Sequence, residues 1–202
     1  FFNLQPISFM EGKLKMLDNA MQYSHQLLTE IVQPGDVVID ATMGNGHDTL
    51  FLSELVQSTG RVFSFDVQKV ALEQTRALFE HQHQPLTNVE LIHASHDQID
   101  HYVTEPITGA IFNLGYLPGG DKSIITHPTS TISAVQQSLN QLKIGGRIIL
   151  VCYYGHPGGQ EELQQLLSFV AELDQHHYSC LRYEFINQIN NPPILLCIER
   201  KK

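Results

Sequence analysis

The chain has 202 residues, 42% of them hydrophobic and 16% charged, enough apolar material for one domain with a substantial core. Its formal net charge is −9 with histidine neutral, the wrong sign for a protein that coats nucleic acid through phosphate contacts, though a local basic patch stays open. No secretory h-region and no apolar run of membrane-spanning length occurs, so a soluble, cytoplasmic protein with no membrane partner is expected.

Phe1 to Phe9 lack clear periodicity and are set apart from a domain expected over 10–202. The spacing of Leu17, Met21, Ser24, Leu28 and Val32 predicts a helix over 18–33, with Asp18 at its N-cap and Pro34-Gly35 as its stop. Val37 to Ala41 reads as a strand and Asp48 to Gln57 as a helix. Val62 to Asp66 is the second strand, and Val70 to His83 a helix burying Ala71, Leu72, Thr75, Leu78 and Phe79. Val89 to His93 is the third strand, followed by a short helix ending near Val103. Gly109 to Leu114 is the fourth strand, and Gly115 to His127 a long loop of the kind that often carries function. Pro128 suits the first position of a helix that ends before a turn at Gly145-Gly146. Arg147 to Tyr153 is the fifth strand, and Glu161 to Leu173 the last helix. Tyr178 to Asn187 and Ile194 to Glu199 form an antiparallel pair joined through Asn190-Asn191-Pro192-Pro193. Alternating β and α units closed by such a pair specify a single-domain α/β fold with a doubly wound, Rossmann-like, mostly parallel sheet. Cys152 and Cys197 sit in apolar runs as core residues, Cys180 has no CxxC partner, and neither a disulfide nor a metal site is expected.

The stretch Asp40-Ala-Thr-Met-Gly-Asn-Gly-His-Asp48 carries the functional signal. A strand ends there in a glycine turn that opens a helix, which places free N–H groups at the carboxyl edge of a sheet. Asp66 ends the next strand 20 residues after Gly46, where an acid takes ribose hydroxyls. A dinucleotide site wants a third glycine or alanine, yet Thr49 stands there, and Asp40 and Asp48 put negative charge where a pyrophosphate would lie. Acids suit S-adenosylmethionine (SAM) better, since it carries an ammonium and a sulfonium and no phosphate. In the glycine turn and at the next strand end, Asp40, Met43, Gly44, Gly46, Asp48 and Asp66 are candidate cofactor contacts.

That stretch, together with Phe65-Asp66-Val67-Gln68, Ser95-His96, Asn113-Leu-Gly-Tyr-Leu-Pro-Gly119 and Tyr154-Gly-His-Pro-Gly-Gly159, closely resembles a bacterial methyltransferase family. Its members were long described as rRNA methylases. They are now understood as tRNA methyltransferases acting on the aminomethyl group of 5-aminomethyl-2-thiouridine at the wobble position. The resemblance implies a class I fold and SAM as donor. It further implies cofactor contacts from Asn45, Asp48, Asp66, Gln68, Ser95 and His96, and the anticodon arm of tRNA as partner.

Enzymes that methylate exocyclic nitrogens often use an Asp/Asn-Pro-Pro-Tyr loop after the fourth strand; here Asn113-Leu114-Gly115-Tyr116 keeps both ends and loses both prolines. Asn113 can accept a hydrogen bond from an amine, and Tyr116 can stack on a base. An alkylamine has a reference pKa of ~10.4, so its neutral, nucleophilic form is roughly one part in two thousand at neutral pH. His156 and His127, on the two loops flanking that edge, are the candidates for taking the proton, His156 first. Each of these residues also has a plainer reading as a loop former or helix cap. Lys13, Lys15, Lys122 and Arg200 to Lys202 are the expected phosphate contacts. A small-molecule amine N-methyltransferase and a non-catalytic SAM-binding subunit are the alternatives, and a homodimer is left open.

Overall fold

A computed structural model describes residues 16–115 and 125–202. Seven strands form one sheet in the order β3-β2-β1-β4-β5-β7-β6. They are β1 (Val37–Asp40), β2 (Arg61–Asp66), β3 (Val89–His93), β4 (Ile107–Leu114), β5 (Leu142–Cys152), β6 (Tyr178–Tyr183) and β7 (Ile194–Arg200). β1 through β5 run parallel, while β7 is antiparallel to both β5 and β6. The helices are α1 (Ala20–Thr29), α2 (His47–Val56), α3 (Lys69–His81), α4 (Ile99–Tyr102), α5 (Pro128–Gln141) and α6 (Gly159–Ala171). The single-domain, doubly wound architecture expected from the sequence is the one observed.

Successive strand residues face opposite sides, so both faces of the sheet need cover. Val38, Val62, Ile111, Ile149 and Leu195 pack with Leu28 of α1 and Leu52 and Val56 of α2. Their neighbours Ile39, Phe63, Phe112, Leu150 and Leu196 pack with Ile99, Val135, Leu139, Leu163 and Leu166 from α4, α5 and α6 on the other side. Each fully buried side chain of this size contributes roughly 1.5–3 kcal/mol, and the central strands gain this on both faces.

Several boundaries differ from the sequence expectation for identifiable reasons. α1 is shorter, and Asn19 rather than Asp18 caps it: Gln22 N donates to Asn19 Oδ1 at 2.9 Å while Asn19 N donates to Gln22 Oε1 at 3.0 Å. Leu17 consequently lies outside the helix and is exposed. The Gly145-Gly146 pair is not a turn before β5 but an irregularity within it, where pairing jumps from Ile107↔Leu142 to Gly109↔Arg147. Gly145 sits at φ +80, and a Cβ on Gly146 would come within 2.7 Å of Thr108 O. β6 stops at Tyr183, so Glu184 to Asn191 belong to the connection, with Asn190 and Asn191 both at positive φ.

Candidate active site

The chain runs from β1 outward through β2 and β3, then returns to add β4 and β5 on the other side. Loops therefore diverge at the carboxyl ends of β1 and β4, the position where doubly wound folds bind ligands. A cavity of about 980 Å³ opens there. Its wall takes residues from α1, from the loops after β1, β2, β3, β4 and β5, and from the segment entering α5.

The glycine loop after β1 is pinned from three sides. Ala41 N donates to Ile111 O at 2.9 Å, Met43 N to Phe65 O at 2.8 Å, and Gly44 N to the Asp66 carboxylate at 3.0 Å. The other Asp66 oxygen accepts from Gln68 N at 2.9 Å. Each carboxylate oxygen keeps a further lone pair, so Asp66 can still take hydroxyls while it orders the loop. Met43, Gly44, Asn45, Asp48, Asp66, Gln68, Ser95 and His96 all line the cavity.

Asp40 and Gly46, also expected as cofactor contacts, do not lie on its wall. Asp40 is fully buried beneath the loop, accepting from Thr49 Oγ1 at 2.6 Å and Thr42 N at 3.1 Å. Burial, reinforced by the charge of Asp48, pushes its pKa up from 3.8 to about 7. Gly46 has φ +84, and a Cβ there would come within 2.9 Å of the Thr75 backbone, so its smallness lets α2 start against α3. Both residues shape the loop rather than the cavity.

His96 is buried, and its Nδ1–H donates to Ala41 O at 3.0 Å. Burial lowers its pKa, which keeps the ring neutral with Nε2 as the basic nitrogen. On the acceptor side, Asn113 N donates to Thr42 Oγ1 at 2.7 Å, and Asn113 Nδ2 donates to Asp48 Oδ2. Asn113 Oδ1 is buried and has no hydrogen-bond partner. A buried amide oxygen left unmatched costs about 1–3 kcal/mol, so it marks a place where a donor belongs. His127 and His156 both line the cavity, as does Tyr153. His156 Nδ1 lies 3.0 Å from Pro157 O, so Nδ1 carries the proton. Tyr116 and Lys122 fall outside the described residues, as do Lys13 and Lys15.

Sequence reading missed several residues that build this site. His25 of α1 reaches the wall and sits 2.6 Å from Asp48 Oδ1. Glu162 of α6 is buried and accepts from Thr126 Oγ1 at 2.7 Å and Thr131 Oγ1 at 2.8 Å, tying the segment that enters α5 to α6. Thr126 N donates to Gly115 O at 3.0 Å, closing the neck of the loop after β4. Arg200 to Lys202 lie away from the cavity: β7 runs against the parallel strands and carries them to the opposite edge.

The wall carries two acids, Asp48 and Asp66, and, among the described residues, no lysine or arginine. That set fits a cationic cofactor without phosphate and disfavours a dinucleotide. No group of three potential metal ligands occurs among the described residues, and none of their helices is long and apolar enough to cross a membrane.

Residues 62–199 match a family described as "Putative rRNA methylase". The chain is 35% identical, over 96% of its length and 73% of the relative's, to a chloroplastic tRNA (mnm5s2U34)-methyltransferase of Arabidopsis thaliana. A solved "rRNA-methylase" from Clostridium thermocellum superposes with a TM-score of 0.90 at 42% identity, covering 92% of this chain and 100% of that one. A Streptococcus mutans methyltransferase structure in complex with SAH superposes at 0.84 with 45% identity, covering 92% and 99%. The match of cavity chemistry, fold and relatives is consistent throughout: the chain belongs to this methylase family and is a SAM-dependent class I methyltransferase.

Proposed function

We propose that the acceptor is a primary amine, the aminomethyl group of a 5-aminomethyl-2-thiouridine at the wobble position of tRNA. The observation that carries this reading is Asn113 Oδ1, a buried acceptor without a partner on the cavity wall beside the Asp48 carboxylate. The 35% identical plant relative, whose name gives that tRNA position, supports it.

Bound SAM supplies an electrophilic methyl group on a sulfonium. The protein's part is to present a neutral amine to it. Asn113 Oδ1 accepts one amine N–H and so aims the nitrogen lone pair away from itself, toward the cofactor. Asp48 would stabilise the positive charge that grows on nitrogen as the N–C bond forms and the methyl–sulfur bond breaks, its electron pair staying on the departing thioether. His156, on the same wall with its Nδ1–H on Pro157 O, is the candidate to take a proton from an amine that arrives charged. Asp66 would hold the ribose hydroxyls, and neutral His96 borders the same wall without adding charge.

A small-molecule amine is the second reading, favoured by the net charge of −9 and by a wall with no lysine or arginine among the described residues. One assay separates the two. The protein is incubated with SAM and either an anticodon stem-loop carrying the aminomethyl-thiouridine or the free nucleoside, and products are resolved by nucleoside mass spectrometry. Methylation of the stem-loop at a far higher kcat/KM supports the tRNA reading. Equal methylation of the free nucleoside overturns it, and methyl transfer to neither removes the amine acceptor.

A further inference from the structure

His25 belongs to none of the sequence motifs, yet it stands against the acceptor side of the cavity. Its Nε2 lies 2.6 Å from Asp48 Oδ1, and the other Asp48 oxygen accepts from Asn113 Nδ2. The imidazole lies flat on Phe51, with ring centroids 3.8 Å apart and planes within 4°. Side chains from α1, α2 and β4 thus form one file, His25–Asp48–Asn113, that ends on the unpartnered Asn113 Oδ1.

A primary amide has nearly the same shape either way round, so something must decide which end faces the cavity. Asp48 decides it, because an ionised carboxylate only accepts and therefore takes the amide NH₂. The carboxylate in turn is free to rotate unless its second oxygen is held. His25 holds that oxygen, and the Phe51 stack holds the His25 ring in plane. The donated N–H also moderates the pull of Asp48 on the proton of an amine that has to react neutral.

We propose that His25 is a positioning residue for methyl transfer, acting through Asp48 to keep the Asn113 carbonyl turned toward the acceptor amine. This rests on Asn113 being the group that receives the amine. His25 touches neither substrate nor cofactor in this account.

The test compares His25→Phe, which keeps a ring on Phe51 but loses the N–H, with His25→Gln, which returns an N–H donor near the position of Nε2. Single-turnover methyl transfer, SAH affinity and thermal midpoint are measured for both, and for Asn113→Ala alone and combined with His25→Phe. His25→Phe should slow transfer by roughly 10–100-fold, the effect of a misaligned nucleophile, with SAH affinity unchanged. His25→Gln should recover most of that rate, and His25→Phe should cost nothing further in the Asn113→Ala background. A wild-type rate in His25→Phe, a loss that appears instead in SAH affinity, failure of His25→Gln to recover, or full additivity with Asn113→Ala each overturns the proposal. If Asn113→Ala itself keeps full turnover, the acceptor reading fails; if it is impaired while His25→Phe is not, only the role of His25 fails.

Discussion

At the amino edge of the sheet, charges are matched. Arg147 donates to Glu30 at 2.7 Å and Glu199 at 2.9 Å, Lys143 to Asp36 at 2.9 Å, and Arg61 to Glu105 at 2.6 Å and Glu90 at 3.4 Å. At the carboxyl edge, Asp40 is buried with only hydroxyl and backbone partners, and Asn113 Oδ1 has none. Ion pairs are thus gathered at one end of the fold, while the other holds a buried carboxylate met only by hydroxyl and backbone and an amide oxygen without a donor. Substitutions at the amino edge should act on stability and spare catalysis; at the carboxyl edge those of Asn113 and Asp66 should do the reverse, and the buried Asp40 should act on stability. That division can be broken or sharpened residue by residue.

The largest effect is expected at Asn113. Asn113→Ala should raise the barrier to methyl transfer by ~2–4 kcal/mol while SAH affinity stays near wild type. Rapid-quench kinetics with calorimetric SAH titration checks it, and a parallel fall in melting temperature would blur the contrast between the edges. Asp66→Ala comes next, weakening SAH by about 1.5–3 kcal/mol, because Asp66 both offers its acceptors and holds Gly44 N. Unchanged affinity in the titration would take Asp66 out of the cofactor site.

Asp40 tests whether the open edge costs stability. Its folded pKa of about 7 lies above the ordinary 3.8, so the native state binds more protons than the unfolded chain between those values. Stability from this group is complete below about pH 4 and is lost as the pH rises to about 7. Asp40→Asn should therefore stabilise the protein at pH 8, by on the order of 1–2 kcal/mol, and flatten that part of the pH profile. Parallel melting curves for variant and wild type across pH 4–8 would show that the buried carboxylate carries no such penalty.

At the amino edge, Arg147→Met should cost ~1–2 kcal/mol, since Arg147 is mostly buried and also donates to Leu27 O at 2.8 Å. Its kcat at a temperature well below melting should match wild type. The smallest change is expected for Arg61→Ala, whose ion pairs are half-exposed and worth at most ~1 kcal/mol in a denaturation curve. A catalytic defect in either arginine variant would break the comparison.

Much of the fold was legible because its physics is local. Unbroken apolar runs at Val37–Ile39, Ala110–Phe112 and Ile148–Cys152, the mark of strands covered on both faces, and the apolar stripe of α3 state their burial directly. The strand-end residues Asp66, Ser95 and Asn113 could be assigned to one place since a parallel sheet sends all its carboxyl ends to one edge. What escaped was whatever depends on contact between elements distant in sequence. His25 is a single histidine on an amphipathic helix, and only the packing of α1 beside α2 brings it to Asp48. Glu162 sits in a run, Gln160-Glu161-Glu162, that reads as a solvated first turn, yet it is buried on two threonines. Gly145-Gly146 carries the composition of a turn, and only the pairing with β4 shows it to be an irregularity inside a strand.

The reversal of β7 has a practical consequence for building with this protein. Because Ile194 pairs with Cys152 at the carboxyl edge and Glu199 with Arg147 at the other, the strand delivers Lys202 to the side away from the cavity mouth. Six steps of ~3.3 Å put about 20 Å between the two ends of that seven-residue strand. Any chain continuing past Lys202, whether an affinity handle, a fluorophore or a surface tether, therefore leaves from the edge opposite the cavity mouth. Immobilisation through that end orients every molecule with its entrance outward.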